Sequence, residues 1–435
     1  MTFQKENDIM LNNLFENLFF NKWKSNIKEN RCGIELILND NCDLKCKYCY
    51  FRNPKLYVKK PPYDEVMKNL DKVLYWMKDN EYKPKEIALF SGDTFSDDLG
   101  IRALERIIEF IETEYRVCEQ VVIPTNALAL MENKDVMDRF IKVENRYKLN
   151  KVVLGLSLSF DGKYVEEFRP AKSGFIRDDK HYSKIFKFAK EHGCGFHPML
   201  YSKAIKNWKK NFLWFQDMLT RYCHNWHNIY LLEVRNDDWS VENCKDLYNF
   251  IKFLIRYTYD RSDNDVKTFF KNFRDKKCFN IISAPFVNTG RGIGCGIQSF
   301  FYINLMDMRI VPCHRTMYEC FTYGKFIIEN EKIVGIESQN VEIANAIYSF
   351  DGKTLPMCQS CPINKLCNFA CLGASYEATG DLFTASPVIC RLEHYKLKAL
   401  VDGFREIGIL NTFLDNFLSN DKREALVKTM EDGII

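Results

Sequence analysis

Residues 40–51 read DNCDLKCKYCYF. Cys42, Cys46 and Cys49 stand at a C-x3-C-x2-C spacing, with Tyr48 just ahead of the last. Thiolates this close are soft-metal ligands, yet three of them leave a four-ligand site one short. With 17 cysteines in 435 residues, composition alone produces such a triplet about 3% of the time, so the spacing needs independent support.

Working outward, the triplet follows GIELILN (33–39), the first of six β-rich runs. The others are EIALFSG (86–92), QVVIPTN (120–126), VVLGLSLSF (152–160), GFHPMLYS (195–202) and NIYLLEV (228–234), and a helical pattern follows each. That alternation predicts βα units and a parallel sheet. After the first run, Val66, Leu70, Val73 and Met77 recur on one helical face, and Pro61 and Pro62 suit a helix start. Six such units curl into a partial barrel whose site lies at the carboxyl ends of its strands. The unusual residues fall at those ends: the triplet, then SGDTFSDD (91–98), TNA (125–127) and SFDG (159–162).

Composition narrows the function. The chain is 46% hydrophobic and 14% aromatic with a net charge of +4, which argues against disorder and leaves no nucleic-acid partner to expect. No apolar run is long enough for a membrane helix, and MTFQKENDIMLNN lacks the basic start and apolar core of a signal peptide. A cytoplasmic protein is therefore expected, with no membrane partner. An odd number of cysteines then points to metal rather than to a disulfide framework. Cys32, Cys118, Cys194, Cys223 and Cys244 have no ligand spacing and read as small buried hydrophobes.

The alternation stops near residue 260. We expect an N-terminal extension (1–32), a barrel (33–260), a polar linker (261–290), a cysteine-rich domain (291–395) and a helical tail (396–435) broken at GIL (408–410). Within the fourth segment, CQSCPINKLCNFAC places Cys358, Cys361, Cys367 and Cys371 as C-x2-C-x5-C-x3-C. Composition yields that pattern about once in a thousand. Four thiolates fit a tetrahedral zinc or an iron–sulfur cluster. A zinc ribbon usually separates its knuckles by some 15 to 20 residues, so the short spacing here favours iron–sulfur.

These two patterns together resemble the radical S-adenosylmethionine (radical SAM) superfamily with a C-terminal SPASM extension. The resemblance implies an α/β fold: a partial (β/α)6 radical SAM barrel followed by a cysteine-rich SPASM domain with auxiliary clusters. It implies a [4Fe-4S] cluster on Cys42, Cys46 and Cys49, whose open iron takes the amino and carboxylate groups of SAM, with Tyr48 beside the adenine. The family's GGE, which contacts the SAM amino group, reads Ser91, Gly92 and Asp93 here, a carboxylate one methylene shorter. Asn126 matches its T-N-G, Ser159 its ribose-facing S-x-D-G, and Arg169 in EEFRPAKSG an arginine that reaches the SAM carboxylate. The seven SPASM positions are Cys295, Cys313, Cys358, Cys361, Cys367, Cys371 and Cys390. The resemblance assigns Cys358, Cys361, Cys367 and Cys390 to the second auxiliary cluster. It leaves Cys295, Cys313 and Cys371 for the first, whose fourth ligand is Cys320, Cys278 or none. A glycine usual five positions before Cys313 is Met308, so the turn there is expected to be built differently, around Asp307.

Such enzymes mostly modify peptides or protein side chains. A 5'-deoxyadenosyl radical abstracting hydrogen from a ribosomal peptide, to form a thioether or carbon–carbon crosslink, is the expected activity. Formylglycine formation in sulfatases is the alternative, with His314 where that branch has a carboxylate base. A non-enzymatic iron–sulfur or zinc protein is a third reading, which leaves the triplet and rim unexplained. Implied partners are a peptide or protein substrate and an electron donor such as flavodoxin or ferredoxin. About 30 residues precede the first run, so either the barrel and extension read the peptide or a separate leader-binding protein does.

Overall fold

The computed structural model describes residues 32–53, 56, 59–287, 296–298, 300–367 and 371–434. Cys295 and nearly all of the expected N-terminal extension lie outside the described residues. The first four β-rich runs form β1 (Gly33–Ile37), β2 (Glu86–Phe90), β3 (Gln120–Thr125) and β4 (Val153–Leu158), paired in parallel in that order. Their side chains alternate between two environments, as the period of two requires. Ile87 and Leu89 of β2 and Val121 and Ile123 of β3 are 0% exposed. Their neighbours, Ala88, Phe90, Val122 and Pro124, stay half-buried on the other face. The buried face packs into the core shared with the helices Tyr63–Asp79, Asp98–Thr113 and Lys134–Leu149. Val66, Leu70, Val73 and Met77 are buried as their spacing predicts.

The fifth and sixth runs are shorter and more broken than expected. GFHPMLYS divides into β5 (Gly195–Phe196) and β6 (Met199–Leu200), interrupted at His197 and Pro198. Proline has no N–H to extend a ladder. β5 continues the main sheet beside β4, whereas β6 pairs in parallel with β7 (Leu232–Glu233), and an isolated bridge joins Phe196 to Ile229. The barrel therefore stays partial.

The cysteine-rich region joins this sheet directly. β8 (Phe300–Asn304) lies parallel to β1 on the edge away from β2, with Tyr302 opposite Glu35. β9 (Arg309–Val311), β10 (Gly324–Glu329) and β11 (Lys332–Ser338) extend it by antiparallel pairing. The β8–β9 turn corrects the expectation about Met308. Met308 itself adopts the left-handed backbone, φ +60°, where glycine is usual. Asp307 steadies the turn by accepting from the Arg309 backbone N–H at 3.3 Å and its Nε at 2.7 Å.

The stretch expected as a linker carries the helices Val266–Arg274 and Asn280–Val287, in contact with Val241–Asp260. The tail is helical and breaks at Gly408, φ +73°, giving Pro387–Glu406, Leu410–Phe417 and Asn420–Glu431. Cys32, Cys118, Cys194 and Cys244 are buried as expected, but Cys223 is exposed. It takes a left-handed conformation just past its helix, φ 55°, where no core is available. No described helix is long and apolar enough to cross a membrane.

Helix Pro387–Glu406 carries Cys390 and packs against Val241–Asp260. Its Lys396, 6% exposed, lies 2.9 Å from Glu233 of β7 and 3.1 Å from Glu393. The two carboxylates hold the ammonium charged despite burial. Removing one partner of such a buried group strands the others. Lys396→Met is therefore expected to lower stability by about 3–5 kcal/mol in urea unfolding, more than Glu393→Gln does.

Candidate active site

The cluster loop is tied down on two sides before any metal is considered. On one side it pairs with the segment that carries Arg169: Lys45 N donates to Pro170 O at 2.8 Å, Lys47 N to Phe168 O at 2.9 Å, and Lys172 N to Asp43 O at 2.7 Å. On the other side, Asp97 Oδ2 accepts from Asn39 at 3.1 Å, Asn41 at 2.7 Å and Tyr63 at 2.8 Å. Asp97 also caps the helix Asp98–Thr113, its side chain accepting from Leu99 N. Gly92 fits flat against this loop. A Cβ there would stand 2.3 Å from the Asn41 carbonyl oxygen and 2.4 Å from that of Asp40, so no other residue fits without moving the backbone.

The loops after β1 to β4 meet around the thiols. Asn126 Nδ2 approaches Cys42 Sγ at 3.6 Å, while Asn126 Oδ1 accepts from Leu128 N at 2.8 Å. The next residue, Ala127, holds a left-handed φ of 62°, consistent with the glycine that follows Asn in the resembling family. Asp93 is held within the rim by hydrogen bonds. Its buried carboxylate accepts from Asn126 N at 2.5 Å, Phe95 N at 3.1 Å and Thr125 Oγ1 at 3.1 Å, bracing the β2 loop against the β3 loop. Ser91 is buried, with its Oγ 3.4 Å from Thr94 Oγ1.

Asp161, which the sequence reading quoted but did not single out, is the hub. Arg169 Nη1 donates to its Oδ1 at 3.0 Å and Met199 N donates to the same oxygen at 2.9 Å. Tyr48 OH donates to its Oδ2 at 2.5 Å. Arg169 Nη2 also donates to Ser159 Oγ at 3.2 Å. Tyr48, Ser159 and Arg169 are thus brought into one partly buried network.

Burial pushes all three loop thiols up, Cys42 to about 12, with Asp93 adding to the rise there. The Arg169 cation pulls each of them back down. A metal ligand must shed its proton, so iron would have to supply the remaining positive charge.

In the C-terminal region, Cys358, Cys361, Cys367 and Cys390 line one largely apolar cavity with Ile363, Ile389 and His394. His394 Nε2 stands 3.9 Å from Cys361 Sγ. Cys371 is not in that lining; it begins the helix Leu372–Thr379, which packs through Gly373 on Arg315 and Thr316, next to Cys313. The Cys313 N–H donates to Thr316 Oγ1 at 3.0 Å, with Sγ 3.3 Å from the same oxygen. Four of the cysteines thus line one cavity, and Cys313 and Cys371 lie outside that lining. Cys320 is exposed and Cys278 is buried. Among the described residues no three His, Cys, Asp or Glu side chains converge as a single ion requires.

His314 lies between the two regions. Its Nδ1 is 2.7 Å from Glu35 Oε1, and its ring stacks on Phe90 at 4.0 Å and 9°. Glu35 was missed by sequence reasoning, although a carboxylate inside GIELILN is itself a signal that a partner must arrive from elsewhere.

No family model matches the chain, and none of the curated proteins does. Among solved structures it is similar to native anSMEcpe with bound AdoMet and Kp18Cys peptide. That likeness is 16% identical, covers 87% of this chain and 99% of that one, and has a TM-score of 0.55. It is also similar to Streptococcus suis SuiB bound to S-adenosylmethionine, 13% identical over 85% of this chain and 78% of that one, TM-score 0.47. The α/β fold with its mainly parallel sheet is thus that of radical SAM/SPASM enzyme structures over most of the chain. It is the fold that the paired cysteine patterns led us to expect.

Burial raises the Asp93 carboxyl to about 6 against the hydrogen bonds that lower it. An acid with a raised folded pKa adds stability that is complete below its unfolded value near 4 and lost as pH rises through about 6. The stability difference between wild type and Asp93→Asn should accordingly shrink across that window by up to about 3 kcal/mol. Urea unfolding at pH 4 to 7 checks this, and a difference constant with pH contradicts it.

Proposed function

We propose that this chain reductively cleaves S-adenosylmethionine to a 5'-deoxyadenosyl radical and abstracts hydrogen from a peptide substrate, forming a thioether or carbon–carbon crosslink in a ribosomal peptide. The observation that carries the reading is the convergence of Cys42, Cys46 and Cys49 with Asn126, Ser159 and Arg169 at one end of a parallel sheet. A [4Fe-4S] cluster on the three thiolates would supply the electron for carbon–sulfur cleavage and an open iron for the amino and carboxylate groups of SAM.

The chain's own residues do the rest. Arg169, neutralised by Asp161, puts a fixed cation beside the loop without a net buried charge. Tyr48, anchored through its hydroxyl, is the residue beside the adenine in this reading. Asp93 holds Asn126 in place through the Asn126 N–H, and this indirect role replaces the direct contact with the SAM amino group. Cys358, Cys361, Cys367 and Cys390 hold one auxiliary cluster, and Cys295, Cys313 and Cys371 hold another. A flavodoxin- or ferredoxin-type donor supplies electrons, and either the barrel and extension or a separate leader-binding protein reads the peptide. The structure at TM-score 0.55 was solved with AdoMet and a peptide, which supports a peptide substrate here.

One observation favours formylglycine formation as a second reading. His314 is paired with the Glu35 carboxylate, an arrangement suited to accepting a proton in the half-buried space beside the cluster loop. Peptides offering cysteine or serine alone, against peptides offering a crosslinking partner, separate the two by product mass.

After anaerobic reconstitution and reduction, wild type should release 5'-deoxyadenosine from SAM and Cys46→Ala should release none. Cys361→Ala should spare SAM cleavage better than product formation. Wild type yielding no 5'-deoxyadenosine would sink the enzymatic reading in favour of a binding protein.

A further inference from the structure

Arg315 is a buried cation that none of the roles above uses. Its side chain is 12% exposed and forms a two-pronged ion pair with Glu377, Nε to Oε1 at 2.9 Å and Nη2 to Oε2 at 2.6 Å. Three pieces of chain meet on it. It sits inside the turn that Cys313 and Thr316 close. The helix that begins after Cys371 lies on its stem, because a Cβ at Gly373 would come within 3.0 Å of Arg315 Cγ and 3.2 Å of Thr316 Cγ2. Its guanidinium stands over the Tyr50 ring at 5.4 Å, and Tyr50 directly follows Cys49 of the SAM-cluster loop.

We propose that Arg315 is a positioning residue. It locks the Cys313 turn, the Cys371 helix and the SAM-cluster loop together, and its fixed charge sets the reduction potential of the first auxiliary centre. This rests on the reading that Cys313 and Cys371 serve one auxiliary cluster. The choice of residue follows from the chemistry. Guanidinium cannot lose its proton, is weakly hydrated and so tolerates burial, and its planar fork matches a carboxylate. Local net charge is one of the main determinants of a cluster's potential. Reduction adds negative charge, so a buried cation favours the reduced form and a buried carboxylate opposes it.

Arg315 and Glu377 should therefore have opposite effects, which a merely structural bridge would not produce. The test uses the full chain carrying Cys42→Ala, Cys46→Ala and Cys49→Ala, reconstituted with iron and sulfide and titrated with dithionite while the auxiliary signals are followed by EPR. Arg315→Met should lower the potential of one auxiliary signal and Glu377→Gln should raise it. Arg315→Lys should stay near the parent, with a lower thermal midpoint because the fork is lost. If Arg315→Met and Glu377→Gln shift the signal the same way, or neither shifts it, the inference is overturned while the cluster assignment stands. A parent with fewer than two auxiliary signals overturns the two-cluster assignment and the inference with it.

Discussion

The ion pair between Arg169 and Asp161 is the interaction on which the proposed site depends. Both side chains are almost completely buried, 5% and 2% exposed, and two bare charges in that position would be costly. Each is offset by specific partners. Tyr48 comes from the loop after β1, Ser159 from the end of β4, and the Met199 N–H from β6. One pair thus fixes the cluster loop, the β4 loop and the start of the sixth strand pair relative to one another. It also leaves a cation that offsets part of the rise that burial imposes on the three thiols.

The two cysteine regions solve the charge problem differently. The cluster loop is polar and braced from both sides, by Asp97 and by the segment carrying Arg169. The cavity of Cys358, Cys361, Cys367 and Cys390 is walled largely by apolar side chains, and its helix is anchored to the barrel by the buried Glu233–Lys396–Glu393 group. Between them, β8 runs beside β1, so the C-terminal region is part of the same sheet and not an appended module. That continuity places His314 against Glu35 and Arg315 over Tyr50.

How much of this was legible in the sequence follows from how local each feature is. The cysteine spacings, the first four strands and the helical face of Val66, Leu70, Val73 and Met77 are short-range patterns, and they were readable. Glu35 and His314 lie 279 residues apart and Arg315 and Glu377 lie 62 apart, and neither pairing leaves a spacing to read. Asp161 was visible in LSFDG, but its place as a hub depends on the chain crossing that brings Arg169 and Met199 to it. The divided fifth strand had a readable cause in Pro198. Met308 did not, because residue type gave no warning that a buried methionine would take a left-handed turn.

The central claim is that three thiolates at Cys42, Cys46 and Cys49 hold a cluster with one iron open to S-adenosylmethionine. The most direct measurement is the EPR spectrum of the reduced, reconstituted chain in which Cys313, Cys358 and Cys361 are changed to alanine, recorded with and without S-adenosylmethionine. The account predicts a single cluster signal whose g-values move when S-adenosylmethionine is added. A cluster signal that S-adenosylmethionine leaves unchanged would contradict it.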